Sequence, residues 1–483
     1  MEKFLTYEQF GARGDGLFDD FDAIIATHEE ANRTGTPVKA KDGAKYYLAK
    51  PCTAIIKTCV DFGTAEFIID DSRLTIEDRG HSIFSVESDF APFTPDIKTL
   101  SAGAKKVDFP HEGNVYVRIF NDKHKIFIRK GLNMNDGTPT QDCFVVDADG
   151  NIKTDIDWDY PEITKAYAKC IDDAPLTIKG GKFTTIANQA ESFYNYYSRN
   201  VSIKRSGVTV EGLTHLVVGE LDHGAPYGSF IGIHESVNVT VKDCLLTPHL
   251  IYNTPSKVPG KLVPMGSYDI NLAASINVRC INITQSVDIH NGKYWGIVCS
   301  NFCKDLYFEG CTISRFDAHQ GVTNVTLRNC EFGHQKVNLI GHGEALIENC
   351  TMTGSTLFGL REDYGSIWDG NITVRDCTLK VSTRLDFAAT FGARNLGDHD
   401  FGFVCRAPRV YEIDGLTIDD SDCPEKSFYI LPDYTSGAEC ADASYPYVPT
   451  ERLILKNVKR VSGKPYAVTA NAAAYENLIT EER

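Results

Sequence analysis

Apolar and polar residues alternate with a period of two through much of the second half of this chain, and one short phrase keeps punctuating the alternation. NVTVKDC (238–244), DLYFEGC (305–311), NVTLRNC (324–330), EALIENC (344–350) and NITVRDC (371–377) each run an alternating stretch into a bend residue and then a cysteine. Period-two alternation turns one face of a strand to a core and the other outward. The residues before the cysteines are Asp243, Gly310, Asn329, Asn349 and Asp376, types that enter the left-handed backbone region readily. Each phrase predicts a strand, a sharp bend, and a small buried residue that opens the next strand. Recurrence every ~20–30 residues predicts stacked coils. The expected fold is all-β, a single-stranded right-handed parallel β-helix.

The N-terminus predicts how that stack is closed. In YEQFGARGDGLFDDFDAII (7–25), Gly11, Gly14 and Gly16 permit a tight irregular turn, and Asp19, Asp20 and Asp22 supply a helix N-cap and favourable dipole charge. Ala23, Ile24, Ala26 and Ala31 give the helix an apolar stripe suited to covering the open end of a solenoid. The run Gly11-Ala12-Arg13-Gly14-Asp15-Gly16-Leu17-Phe18-Asp19-Asp20 resembles the N-terminal signature of the pectate-lyase-like β-helix superfamily, whose members include polygalacturonases, other glycosidases, lyases and phage tailspikes. The resemblance implies the fold and a carbohydrate-active protein. Gly341-His342-Gly343 matches a polygalacturonase phrase, but the Asn-Thr-Asp, paired-aspartate and Arg-x-Lys phrases of those enzymes have no counterpart, so pectin is not implied as substrate.

Three segments are expected: an N-terminal cap and first coil (1–59), a β-rich insertion packed on the helix (60–170), and coils carrying a catalytic groove (171–483). Within the insertion, 113–131 reads as a hairpin around Asn121-Asp122, and 142–160 as a second with Asp149-Gly150-Asn151 as its turn. DADGN resembles part of a calcium loop without its closing glutamate, so an ordinary turn is expected. The proline-rich stretch 248–266 reads as a loop over one face, a length usual for functional loops.

Composition narrows the function. A formal charge of −16 argues against nucleic acid as partner, since phosphates need basic groups. A strongly anionic polymer would need a local basic groove or a bridging cation, so a neutral or weakly charged sugar is the easier partner. No apolar run has membrane-spanning length, so no membrane partner is expected. Fifteen cysteines without a CxxC pair read as small buried hydrophobes rather than zinc ligands. With no signal peptide visible, they suggest a cytoplasmic protein, or a secreted one if a leader once preceded it. No metal or cofactor is expected, and self-association is left open.

Candidate chemistry concentrates where polar residues recur once per coil. ELDHGAPYG (220–228), YDIN (268–271), VDIHNGKYWG (287–296), FDAHQG (316–321), IGHGE (340–344) and GLREDYGSIWDG (359–370) form that zone. Asp-x-His occurs at Asp288/His290 and Asp317/His319, and in a strand both members would face one way. Hydrolysis of a glycosidic bond needs one carboxylic acid to protonate the leaving oxygen and another group to activate water or attack carbon. Asp288, Asp317, Glu362 and Asp363 are the candidate catalytic carboxylates. Asp317 and the Glu362/Asp363 pair are expected two coils apart, about 10 Å along the stack, which suits an inverting enzyme. His290, His319, His342 and Arg361 are candidate substrate-binding groups, and Tyr294, Trp295, Tyr364 and Trp368 candidate sugar-stacking faces.

The function expected is an inverting glycoside hydrolase acting on an oligo- or polysaccharide. A calcium-dependent polysaccharide lyase is the alternative, with Asp222, Asp269, Asp288 and Asp317 holding the ion and Arg361 or Lys293 as base. A non-catalytic, tailspike-type glycan-binding β-helix is the third reading. Against it stands a signature beginning at Tyr7, which leaves no room before it for a virion-attachment domain.

Overall fold

In the computed structural model, which describes residues 3–393, 400–432 and 448–482, the chain is a right-handed parallel β-helix. Its coils stack in register: Val239 pairs with Val278, Val278 with Leu306, Leu306 with Val325, Val325 with Ala345, Ala345 with Ile372, Ile372 with Tyr411 and Tyr411 with Leu453. These inward positions are all buried in one continuous core. Cys311, Cys330, Cys350 and Cys377 lie in that core as free thiols, stacked coil upon coil. Burial explains these cysteines as packing residues, and packing carries no information about compartment.

The bends before them adopt the left-handed conformation expected, with φ of 56° at Asp243, 54° at Asn329, 50° at Asn349 and 50° at Asp376. Their side chains also join between coils. The Asn349 amide donates to Asn329 Oδ1 (2.7 Å), and the Asn282 amide to Asp243 Oδ1 (2.9 Å). Asn282, also left-handed, belongs to a coil whose phrase has Ile283 where the others have cysteine.

The cap forms at the N-terminus. A helix at Phe21–Thr34 buries Phe21, Ile24, Thr27, His28 and Ala31 against the first coil. Asp20 does not cap it through its side chain. Its carboxylate instead accepts from the backbone N–H groups of Arg13 (2.7 Å) and Gly14 (3.1 Å), fixing the glycine turn, while Asp19 Oδ1 accepts from Phe21 N.

The boundary of the insertion differs from the expected 60–170. Val60–Asp70 pairs in parallel with Lys45–Leu48 on one side and Leu176–Ile186 on the other, and Phe84–Glu87 with Ala54–Ile56 and Val201–Lys204. The coil therefore continues through Glu87, because VDFGTAEFII alternates as a coil strand does even without the cysteine phrase. Beyond it, Val115–Ile126, Thr138–Val146 and Lys165–Cys170 build an antiparallel sheet with its own apolar cluster. Asn121-Asp122 is no hairpin tip. It is an irregularity within the long strand Val115–Ile126, which turns back only beyond Ile126. Asp147–Asn151 forms the expected turn, with Asp147 Oδ1 accepting from the N–H groups of Asp149 and Asn151 and its carboxylate paired to Lys153 at 2.5 Å.

The insertion is pinned to the coils by buried polar and aromatic contacts. Lys304 is buried between Asp142 and Asp157, Thr323 donates to Asp157 (2.7 Å), and Tyr116 donates to the Ala274 carbonyl (2.6 Å). Phe127 packs edge-on against Phe302, Tyr364 and Phe403. This docking walls in one stretch of the coil surface. Among the described residues, no helix is long and apolar enough to cross a membrane.

Candidate functional site

The walled stretch belongs to the coil face in which Ile270–Ala273, Val298–Asn301, Phe316–Gln320, Val337–Leu339, Phe358–Leu360 and Phe391–Gly392 stack. Phe316, Val337, Phe358 and Phe391 turn inward, and Phe358 and Phe391 stack at 5.3 Å. The alternate, outward row includes Asn271, Asp317, Asn338, Gly359 and Gly392. Its last two members have no side chain, which leaves the outer surface hollow there. The register places Asp317 and Gly359 two coils apart, as the sequence spacing predicts.

Two cavities open over this row. The first, about 600 Å³, is lined by coil residues Tyr268, Asn271, Asn301, Arg315, His319 and Arg361. Arg118, Arg129 and Gln141 reach it from the insertion, and Met265, Gly266 and Trp295 from the loop side. The second, about 840 Å³, is lined by Lys336, Asn338, Gly359, Glu362, Asp363 and Gly392, and again by Arg315 and Arg361. The two arginines therefore stand between two halves of one groove.

Asp317 is the electrostatic centre. It has no solvent exposure, and its oxygens accept from Arg315 Nη2 (2.7 Å), from Arg361 Nη1 (2.6 and 2.7 Å) and from the Tyr268 hydroxyl (2.7 Å). Burial alone would raise its pKa, but the two guanidinium groups outweigh burial and hold the carboxyl well below the usual carboxylate range. Arg361 also donates to Asp363 (3.0 Å), which Arg129 of the insertion reaches at 2.6 Å. Asp363 is likewise held ionised, the arginines again overcoming partial burial. A short 3₁₀ turn, Glu362–Tyr364, aims these groups and is closed by Gly365 at φ 96°. Buried Tyr364 lies beneath the guanidinium groups of Arg361 and Arg129 at 5.1 and 5.2 Å. His319 is hydrogen-bonded to Asn301 (3.0 Å) and Tyr364 (3.3 Å), and burial, reinforced by Arg361, drops its pKa to about 3. It is neutral at physiological pH.

The structure brings Asp317, His319, Arg361, Glu362, Asp363, Tyr364 and Trp295 together. It does not bring in the rest. Asp288 and His290 are exposed in a turn where Asp288 Oδ1 accepts from His290 N (2.9 Å), so the pair is not in a strand and does not share a face toward the groove. Tyr294 follows in that turn, bridged to Leu250 and outside the lining of both cavities. His342 lies beneath the insertion, its ring edge-on to Trp158 at 4.6 Å. Trp368 is buried in the core with its indole N–H directed at the carbonyls of Gly343 (3.2 Å) and Asn371 (3.1 Å), so it offers no face to a sugar. Tyr364 is buried, at 1% exposure, and so offers no open face for stacking.

The calcium donors considered for a lyase are also dispersed. Asp269 is buried against His215, Asp222 is exposed beside His223, Asp288 is in its turn, and Asp317 is taken up by arginines. Among the described residues, no cluster of three or more His, Cys, Asp or Glu side chains is placed to hold a metal ion.

The groove residues not anticipated are Arg118, Arg129, Tyr268, Arg315, Lys336 and Asn338. Arg315 had a sequence signal, since it precedes Asp317 by two residues and so can share its face. Arg118 and Arg129 had none, because only the docking of the insertion delivers them.

No protein-family profile matches the chain, and no curated protein sequence matches it. Solved structures do share its fold. The Pseudomonas phage phi297 tailspike gp61 aligns with 98% of this chain and 83% of its own, at 12% identity and a TM-score of 0.57. The Gp54 tailspike of Acinetobacter baumannii bacteriophage AP22, solved with an A. baumannii capsular saccharide, covers 99% of this chain and 79% of its own at 10% identity and a TM-score of 0.57. A tailspike variant of E. coli bacteriophage HK620, solved with a pentasaccharide, covers 95% and 67% at 12% identity and a TM-score of 0.50. At such identities the likeness concerns the fold.

Proposed function

We propose that this β-helix binds a saccharide along the groove and hydrolyses a glycosidic bond there. The observation that carries the reading is the pair of adjoining cavities divided by Arg315 and Arg361, with Glu362 and Asp363 lining the second. Two of the tailspikes that share the fold were solved with saccharides bound, which supports a glycan as ligand. Aromatic Trp295 and Tyr268 on the wall of the first cavity give a sugar ring an apolar surface beside polar groups.

In this proposal Glu362, as carboxylic acid, gives its proton to the glycosidic oxygen as the bond to the anomeric carbon breaks. Asp363, as carboxylate, takes a proton from a water whose oxygen attacks that carbon from the opposite face, so the configuration inverts. Its arginine neighbours keep Asp363 ionised, as a base requires. Asp317 has no acid–base part in this scheme. Fully buried, where Asp363 is partly exposed at the second cavity, it is a positioning residue, holding Arg315 and Arg361 where they meet the substrate.

A second reading has one observation in its favour. Lys336 lines the second cavity, donates to Ser355 (3.0 Å), and has its pKa lowered by burial, so it would make an abstracting base beside arginines able to neutralise a sugar carboxylate. That would be elimination without a bridging cation. Incubation with a glycan panel separates the two. New reducing ends without an unsaturated, ultraviolet-absorbing product support hydrolysis, whereas that product supports elimination and overturns the assignment of Glu362.

A further inference from the structure

The chain as a whole is acidic, at −16, yet the first cavity carries Arg118, Arg129, Arg315 and Arg361, and no carboxylate is among its described lining residues. Among the described residues these four guanidinium groups pair with three carboxylates: Arg118 with Glu235, Arg129 and Arg361 with Asp363, and Arg315 and Arg361 with Asp317. One positive charge is left over at the wall of a cavity in a protein of opposite sign.

The surplus is located by hydrogen bonding. Arg315 is only 6% exposed and gives Nη2 to Asp317, while its Nε and Nη1 have no hydrogen-bond partner among the described residues. Nε of Arg118 and Nε of Arg129 are in the same condition. Buried N–H groups left unpaired are destabilising, and native proteins rarely keep several side by side without a ligand to meet them. The Arg315 guanidinium carbon also lies over the Trp295 ring, 4.5 Å from its centroid, and 5.7 Å from that of Tyr268. Trp295 Nε1 is itself a buried donor without a described partner. The cavity thus presents oriented donors and one uncompensated cation next to an apolar surface, which matches an acidic sugar better than a neutral one.

We propose that the first cavity selects a glycan residue bearing a single negative charge, a carboxylate or a sulfate ester, with Arg315 as the specificity-determining residue. The inference rests on the groove being a saccharide site and adds the substrate class. It replaces the expectation, drawn from net charge, of a neutral sugar, because the charge that matters is the local one.

The test uses the full chain carrying Glu362→Gln, so that binding is read without turnover, with Trp295 contributing to an intrinsic fluorescence signal. The probes are an oligouronate hexasaccharide, the same oligosaccharide with its carboxyl groups reduced to alcohols, and a sulfated neutral hexasaccharide. At least one acidic probe should bind about tenfold or more tightly than the reduced one, and its affinity should fall with added salt. The stronger of the two acidic probes identifies the charged group. Arg315→Gln should erase the preference, and Arg315→Lys should restore part of it as a point charge.

Equal binding of acidic and reduced probes, no binding of either acidic probe, or an undiminished preference in a folded Arg315→Gln protein would each overturn the proposal. The comparison among probes and the salt dependence need no change at Arg315, so they decide the matter even if its variants fail to fold. Charge-selective binding without any cleavage would remove the hydrolase reading and leave this one standing. Cleavage of neutral glycans alone would do the reverse.

Discussion

Replacing Asp317 with asparagine removes the single charge that holds Arg315 and Arg361 together, and the structure gives the size of the effect. Asp317 is completely buried and accepts four hydrogen bonds, three of them from guanidinium groups. An asparagine keeps one acceptor oxygen and turns an amide NH₂ toward donors, so about two of those bonds are lost at about 1.5–3 kcal/mol each. Breaking a buried ion pair by deleting one partner gives a similar figure, about 3–5 kcal/mol. Asp317→Asn should therefore lower the urea midpoint by an amount corresponding to several kcal/mol. On a cleaved substrate its main effect should be a raised KM, because the arginines lose their fixed orientation, with the shape of the pH–rate profile unchanged. Two results would contradict this role for Asp317. One is a variant as stable as the native protein. The other is loss of a limb of the pH profile, which would return Asp317 to acid–base chemistry.

Three further predictions follow from the site and the core. Glu362→Gln and Asp363→Asn should each lower kcat by about 10²–10⁴, and Glu362→Gln should leave the unfolding curve nearly unchanged because that side chain is exposed; near-native rates in both would remove the proposed acid and base. A Cβ at Gly266 would lie 2.0 Å from Cγ of Trp295, so Gly266→Ala should displace the indole and weaken saccharide binding while the circular dichroism spectrum stays native; unchanged affinity would show that Trp295 does not form the wall. Burial drops the pKa values of His28 and His319 to about 3, so protonation favours the unfolded chain; the stability they allow is complete above the unfolded value of 6.5 and is lost as pH falls from there toward about 3. Each should remove about 2 kcal/mol between pH 8 and pH 5, with His215, His234 and His342 acting in the same direction and His249, raised by Glu220 against the effect of burial, in the opposite one. Asp142 and Asp71, raised by burial, also act in the opposite direction, so the check is the difference between the native protein and His28→Gln: an unchanged pH dependence of the urea midpoint in that variant would contradict this.

The fold was legible because a β-helix writes its geometry into local sequence. Each coil needs a left-handed bend and a small interior residue at the same register, so Asn329, Cys330, Asn349 and Cys350 repeat as text before they stack as structure. The cap was legible for the same reason, since three glycines and clustered aspartates constrain a turn by themselves. The coil at Val60–Asp70 carries no such phrase, because its bend uses Gly63 and no cysteine follows.

The site was half legible. Asp317, His319, Arg361 and Asp363 lie two coils apart on one face, and the repeat period carries that information. Asp288 and His290 have the same Asp-x-His spelling as Asp317 and His319, but Asn291, Gly292 and Lys293 turn the chain where the later coil continues as strand. Spacing gives a shared face only where the backbone is extended. Trp368 illustrates a different limit. Its position beside a polar phrase says nothing of which way it points, and the pairing of Trp368 with Gly341 sets it inward. Arg118 and Arg129 depend on tertiary docking over more than a hundred residues of sequence, which no local pattern encodes.

In the proposed function a saccharide lies in the groove over Asp317, Asn338 and Gly359. The most direct measurement is a crystal structure of the Glu362→Gln protein soaked with an oligosaccharide that the unmodified protein cleaves. Sugar density should span both cavities, with ring oxygens or substituents within hydrogen-bond distance of Arg315 and Arg361 and the scissile linkage beside residues 362 and 363. Sugar bound on another face of the coils, with this groove holding none, would contradict it.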